Sequence, residues 1–238
     1  MKNALHELDT KLEKIQFLDG TALKLIAMIS MVFDHVGDTF FPEQTWMRLI
    51  GRLALPLFAF CVSEGFRYTR DRSKYLIRLG IFALVSELPF DLLTAGRLEL
   101  GHQNVMLTFF LAILALIVYD KIAGRGKGVW RKILGVLAAA AFGVAAQLLG
   151  ADYGFFAVGL VFVFYVSRDL GRTGQAGCSL LYQLALRNVG IYLWGAVSSL
   201  VLLCYNGKKG RGLKWLFYVF YPGHMLLLWL LKLWLARA

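Results

Sequence analysis

The chain has 238 residues, 58% of them hydrophobic and 17% charged, with a formal net charge of +11. A soluble domain carries about a quarter charged residues, and one small core cannot hide this apolar surplus, so lipid is the natural solvent. The positive charge does not indicate nucleic acid: Lys and Arg punctuate apolar blocks without forming one basic face, and the binding motifs are absent. Cys61, Cys178 and Cys204 are scattered with no CxxC spacing, which supports neither a zinc site nor a disulfide framework.

Met1 to Gly20 lacks the apolar centre of a cleavable signal. Leu5, Leu8, Leu12 and Ile15 recur at helical spacing among charges, which fits a short amphipathic surface helix within residues 1–20 or, equally, a frayed polar tail. Residues 21–238 read as one all-α polytopic bundle of about eight transmembrane spans, each needing about twenty apolar residues. The first four spans are Leu23 to Phe41, Met47 to Phe66, Tyr75 to Leu93 with Pro89 late in it, and Val105 to Tyr119. The fifth, Ile133 to Leu149, is rich in Ala and Gly, which favours tight packing. Tyr153 to Val166 is short and aromatic; Val189 to Leu203 and Leu216 to Leu235 complete the set. Cys178 to Leu186 fits an extension of the seventh helix, a re-entrant segment or a surface segment.

Basic loops orient the bundle. Arg67, Arg70, Arg72, Lys74 and Arg78 follow span two, and Lys121, Arg125, Lys127, Arg131 and Lys132 follow span four. Arg168, Arg172 and Arg187 precede or begin span seven. These loops share one side, the cytoplasmic one, so both termini are expected there, with the chain in a bacterial cytoplasmic membrane. Lys208, Lys209, Arg211 and Lys214 would then face outward. Either an extra crossing lies near 176–188 or those charges have a task outside; the second is preferred.

Ionisable groups inside a bilayer are costly and point to function. The topology brings several to the outer level: Asp34, His35 and Asp38 on span one, Arg48 and Arg52 on span two, and Glu87 and Asp91 on span three. Asn104 opens span four, Asp152 and Tyr153 join spans five and six, Asn206 closes span seven, and His224 opens span eight just after Pro222. His35 shares a helix face with Asp38, and a carboxylate beside an imidazole suits general-base work. Asp34 points about 100° away, toward a neighbouring helix, with Arg52 as a plausible partner. Ordinary salt bridges explain any one of these singly, and helix-end polarity accounts for Glu43 and Arg97. His6 reads as surface-exposed and His102 as a loop residue. At the cytoplasmic end, Ser63, Glu64, Arg67, Arg70 and Arg78 could receive phosphates, with Glu64 and Arg67 able to pair at i,i+3. The glycine-rich stretches 124–128 and 206–212 could wrap phosphate with backbone N–H groups, although neither is a Walker motif.

LKLIAMISMVFDHVG and GRLALPLFAFCVSEGFRYTRDRSKYLIRLGIFALVSELPFD, followed by NVMLT, ADYG, CYNGKKGRG and FYVFYPGHM, resemble the TraX family in its own order from Thr21 to about Leu231. The resemblance implies a membrane acyltransferase. The family is named for a protein of F-pilin N-terminal acetylation, and is distantly similar to enzymes that carry acetyl groups from acetyl-CoA across membranes. On that footing His35 is the base, or carries the acetyl group in a ping-pong route, and Asp34 or Asp38 orients it. Asn104, Asn206 or His224 stabilises the oxyanion, while Arg67, Arg70 and Arg78 meet the phosphates of acetyl-CoA, the donor substrate. Arg52, Glu87, Asp91 and Asp152 complete the substrate site, and the acceptor is an amine or hydroxyl on a protein N-terminus, a surface sugar or a small molecule. The residues also fit a proton-coupled transporter, though no inverted repeat is visible, or a non-catalytic component of pilus or envelope assembly.

Overall fold

The computed structural model describes residues 2–124, 128–186, 190–212 and 214–237; Arg125, Lys127 and Arg187, with the side chains of His6 and Lys214, lie outside them. The structure is 81% helical with no strands among the described residues, as an all-α bundle requires. Helix α1 (Lys2–Lys11) precedes α2 (Gly20–Phe40), and α3 (Thr45–Gly51) with α4 (Ala54–Tyr68) forms one broken rod. Then come α5 (Arg72–Thr94), which runs through Pro89, α6 (Val105–Ala123), α7 (Val129–Leu148), α8 (Gly154–Val166) and α9 (Gly171–Leu186). A 3-10 segment (Gly190–Val197) leads into α10 (Ser198–Leu203), and α11 (Lys214–Leu235) ends the chain. Among the described residues five helical rods are long and apolar enough to cross a membrane: α2, α3 with α4, α6, α7 and α11. They become six if the bent pair α8 and α9, at 46°, is counted as one.

Polar residues outside the apolar runs set the starts of the rods. Asp19, Asp71 and Asn104 each cap a helix, accepting from the N–H of Ala22 at 2.8 Å, Lys74 at 2.9 Å and Met106 at 3.0 Å. Packing then centres on α6 and α8, where Ile113, Leu116, Val161 and Phe164 are wholly buried. The small residues of α7 admit its neighbours closely: Gly135 lies under the Tyr119 ring and Gly143 under Phe155. The other side of α7 leaves Trp130, Leu137 and Leu148 exposed, an apolar surface suited to lipid.

Side-chain contacts sort the helix ends into two faces. On the proximal face, where α2 begins, Arg72 meets Asp120 at 2.7 Å, Tyr165 donates to the same carboxylate, and Leu18 N–H bonds Cys204 C=O at 2.9 Å. On the distal face Asp34 meets Arg52, and Asp152 N–H bonds Gln103 C=O at 2.8 Å.

Helix α9 retraces α8 in the opposite direction. Gln175 Nε2 donates to Phe164 C=O near the end of α8, and Tyr182 OH to Phe156 C=O near its start, at 2.9 and 3.1 Å. The segment 178–186 therefore returns to the distal face. Its Gln175, Ser179 and Gln183 are buried against protein, and these polar groups hid the passage from a reading based on apolar runs. Two expectations are corrected. The loop 206–212 lies on the proximal face, where Lys208 C=O accepts from Gly20 N–H and Arg211 C=O from Thr21 Oγ1, each at 2.8 Å. Helix α11 runs parallel to α2, with Lys24 over the Phe217 ring and His224 against His35, so the two ends of the chain lie at opposite faces. Helix α1 rests at the proximal start of α9, where the Asp9 carboxylate caps it by accepting from Thr173 N–H at 2.9 Å and Arg172 N–H at 3.1 Å.

Candidate active site

Asp34 is buried on the distal half of α2. Its Oδ1 accepts from Arg52 Nη2 at 2.6 Å and lies 3.4 Å from Arg48 Nε. Arg48 Nη1 also reaches Asp38 at 2.5 Å. Arg48 and Arg52 are four residues apart, so α3 and the Arg52 that follows its end present both to α2. Gly51 permits this approach, because a Cβ there would overlap the Asp34 carboxyl group. Arg52 also donates to Arg48 C=O at 3.3 Å and Tyr153 OH at 3.5 Å, and lies 5.4 Å from the centre of the Tyr192 ring. A buried guanidinium needs such company, since a charge without partners is strongly destabilising.

His35 follows Asp34 and therefore faces another neighbour, α11. Its Nδ1 is 2.8 Å from Nε2 of His224, whose Nδ1 is 2.8 Å from Phe220 C=O. A carbonyl only accepts, so His224 carries its proton on Nδ1. With both rings neutral, His224 Nε2 accepts from His35 Nδ1–H, which leaves a lone pair on His35 Nε2. The His224 ring also stacks on Phe220 with centroids 4.7 Å apart. The orienting carboxylate expected beside His35 is not there: Asp34 and Asp38 are committed to the arginines, and His224 orients the ring instead. Nor does His224 open α11. It sits mid-helix, reaching back one turn to Phe220 C=O just past Pro222.

His35 lines a recess shared with Asp34, Phe109, Asp152, Tyr153 and Tyr221. Tyr153 has φ 59°, a left-handed conformation that costs a side-chain-bearing residue about 1–3 kcal/mol and that clusters at functional sites. Asp152 is fixed from behind, its C=O accepting from Thr108 Oγ1 at 2.7 Å. Burial pushes the Asp152 carboxyl up to about 6, against the opposing pull of His102 and Arg52. His102 Nε2 stands 4.0 Å from Asp152, so the loop reading of His102 missed a neighbour of the recess.

Other expected members stand apart. Asn104 is fully buried and fully used: Nδ2 donates to Ala83 C=O at 2.8 Å and to the Glu87 carboxylate, and Oδ1 caps α6. It has no N–H left for an oxyanion. Glu87 meets Asn104, whereas Asp91 turns to Glu99 N–H at 3.0 Å, so the i,i+4 carboxylates do not act as a pair. Asn206 belongs to the proximal face, where its Oδ1 accepts from Lys208 N–H and its C=O from Arg172, and it is removed from the His35 site. That loop turns carbonyls toward α2, while Asn206 N–H bonds Leu18 C=O and Lys208 N–H bonds Asn206 Oδ1. Arg67 pairs with Glu64 at 3.6 Å on the proximal rim, Arg70 is exposed there, and Arg78 lies between the Tyr75 ring and Tyr218 with its Nε unpartnered. Gln183, Tyr192 and Gly195 were missed; a glutamine inside the apolar run LLYQLAL was the one available signal.

A helical bundle with membrane-length apolar helices, in which a part-buried His35 paired with His224 lines a distal recess, is the class that fold and site define. The family described as TraX protein matches residues 19–232, and the chain belongs to that family. It is 30% identical over 243 residues to the probable fimbrial assembly protein FimC of Dichelobacter nodosus, covering 90% of this chain and 95% of that one. It is 29% identical over 133 residues to Protein TraX of Escherichia coli, covering 56% and 49%. An uncharacterized protein of Rickettsia prowazekii is 42% identical over 89 residues, or 37% and 33%. The chain thus spans nearly all of the first relative and half or less of the other two. No solved structure gives a significant match.

Proposed function

We propose that the chain is an integral membrane acyltransferase that moves an acetyl group from acetyl-CoA to an amine or hydroxyl acceptor. One observation carries this reading: a His35 whose Nδ1 is held by His224, leaving Nε2 as the free nitrogen of a ring that lines a recess. In the proposed reaction Nε2 takes the proton from the acceptor, whose nitrogen or oxygen attacks the thioester carbonyl. The tetrahedral intermediate collapses with loss of CoA thiolate, which receives the proton from His35. While the proton is held, His224 shares it, and the Phe220 carbonyl and ring stabilise the resulting cation.

The topology we favour has nine passages, one more than the apolar runs suggest, with α9 as the addition. Arg67, Arg70, Arg72, Lys121, Arg131, Arg168, Lys208 and Lys209 all belong to the proximal face, which we assign to the cytoplasm on charge. The short α8 and the polar α9 suit such passages because neighbouring helices cover them. Acetyl-CoA enters at the proximal rim near Arg67 and Arg70, and Arg78 lies farther along the way to His35. Helix α1 lies along the cytoplasmic surface.

The names of the relatives favour a second reading equally well, a non-catalytic component of pilus or fimbrial assembly. Membranes containing the chain, given isotope-labelled acetyl-CoA, separate the two. The first reading expects label on an acceptor with wild type and none with His35→Ala at equal membrane abundance. Absence of transfer in wild type, with a pilus subunit co-purifying, supports the second and removes the first.

A further inference from the structure

A second, small recess adjoins the His35 recess; both are lined by Leu55 and Tyr153. Arg52, Phe156, Gln183 and Tyr192 line it as well. Gln183 is only 2% exposed, yet its Nε2 has no hydrogen-bond partner. An amide donor desolvated without a partner costs about 1–3 kcal/mol, so its retention beside a cavity needs a reason. Gly195 makes room for this amide: a Cβ there would come within 3.0 Å of Gln183 Oε1. Gln183 and Arg52 both place N–H donors among the lining residues, beside the hydroxyls of Tyr153 and Tyr192. Arg52 is already neutralised by Asp34, so a further anion gains little. A carbonyl oxygen only accepts, which matches the N–H donors of Gln183 and Arg52. The flat rings of Tyr153, Phe156 and Tyr192 suit a planar group.

We infer that this second recess is an amide subsite, in which Gln183 Nε2–H and Arg52 bind the carbonyl of an amide belonging to a substrate whose reacting group lies at His35. The inference rests on the acyl-transfer reading for its link to His35, but not for the binding itself. The amide comes either from the acceptor, beside its reacting amine, or from the pantetheine arm of the donor.

Saturation-transfer NMR on the full chain in nanodiscs tests the subsite without requiring turnover. The probes are alaninamide against isopropylamine, which lacks the amide, and S-acetyl-N-acetylcysteamine against ethyl thioacetate for the donor arm. At least one amide probe should bind wild type, and Gln183→Leu should weaken it about five- to tenfold, as loss of one buried hydrogen bond implies. Gly195→Ala, which crowds the amide, should act in the same direction. Selective loss of alaninamide binding assigns the recess to the acceptor, and selective loss of the acetylcysteamine thioester assigns it to the donor. Equal binding by Gln183→Leu and wild type, equal binding of the amide-free partners, or no amide binding at all overturns the inference. Amide binding without acetyl transfer keeps the subsite and removes the acyltransferase reading.

Discussion

The Asp34–Arg52 pair should show an asymmetric response to substitution. The two side chains are 12% and 6% exposed and 2.6 Å apart, and breaking such a pair from one side costs about 3–5 kcal/mol. The partners left behind differ. Asp34→Leu strands Arg52 with one backbone carbonyl and the Tyr153 hydroxyl, so a loss of about 4 kcal/mol is expected. Arg52→Met leaves Asp34 within 3.4 Å of Arg48, which absorbs part of the cost, and the expected loss is about 2 kcal/mol. The double variant removes both charges and should lose only about 1–2 kcal/mol, giving a strongly favourable coupling. Denaturant titration of detergent-solubilised protein, followed by tryptophan fluorescence, measures all four corners. Equal single losses that simply add in the double variant would refute the reasoning.

Other consequences follow from separate parts of the structure. On the acyl-transfer proposal, replacing His224 by Ala should lower acetyl transfer about a hundredfold or more at unchanged abundance, since the proposed base His35 would lose its orientation; steady-state rates check this. Because burial raises the Asp152 carboxyl to about 6 from an ordinary value near 4, the folded state binds more protons between those limits and stability falls as pH rises through them. Asp152→Asn should therefore be about 1 kcal/mol more stable than wild type at pH 7.5 and no more stable at pH 4, by the same denaturant titration. Asp9→Ala removes the cap on α9 and should cost about 1 kcal/mol, seen as a lower unfolding midpoint. The proposed nine passages would put Lys11 and Arg237 on opposite sides, so alkaline phosphatase fused after Arg237 should be active and after Lys11 inactive.

The apolar runs made most of the fold legible. Seven of the expected spans coincide with helices to within a few residues, because a lipid-facing helix must be apolar over its length. The crossing near 176–188 was weighed and passed over because Gln175, Ser179 and Gln183 break its apolar run; they face protein, where Gln175 and Ser179 are hydrogen-bonded. That one omission turned the loop 206–212 outward and misplaced Asn206. Within the site, one-dimensional geometry went further than expected: the hundred-degree offset between Asp34 and His35 placed Arg52 with Asp34. The juxtaposition of His35 and His224 was foreseen only as convergence on one level. Their hydrogen bond depends on the parallel run of α2 and α11, which spacing along the chain does not encode. Asn104 and Asp38 were assigned by chemistry when helix capping and Arg48 had already claimed them.

The most direct test is nitrogen-15 NMR of the histidine rings in the intact, membrane-embedded chain, assigned with His35→Gln and His224→Gln. The account predicts protons on Nδ1 of both rings at neutral pH, coupling across the His35–His224 hydrogen bond, and an unprotonated His35 Nε2 whose resonance responds to added acetyl-CoA. A proton resident on His35 Nε2, or two rings with no coupling between them, would contradict it.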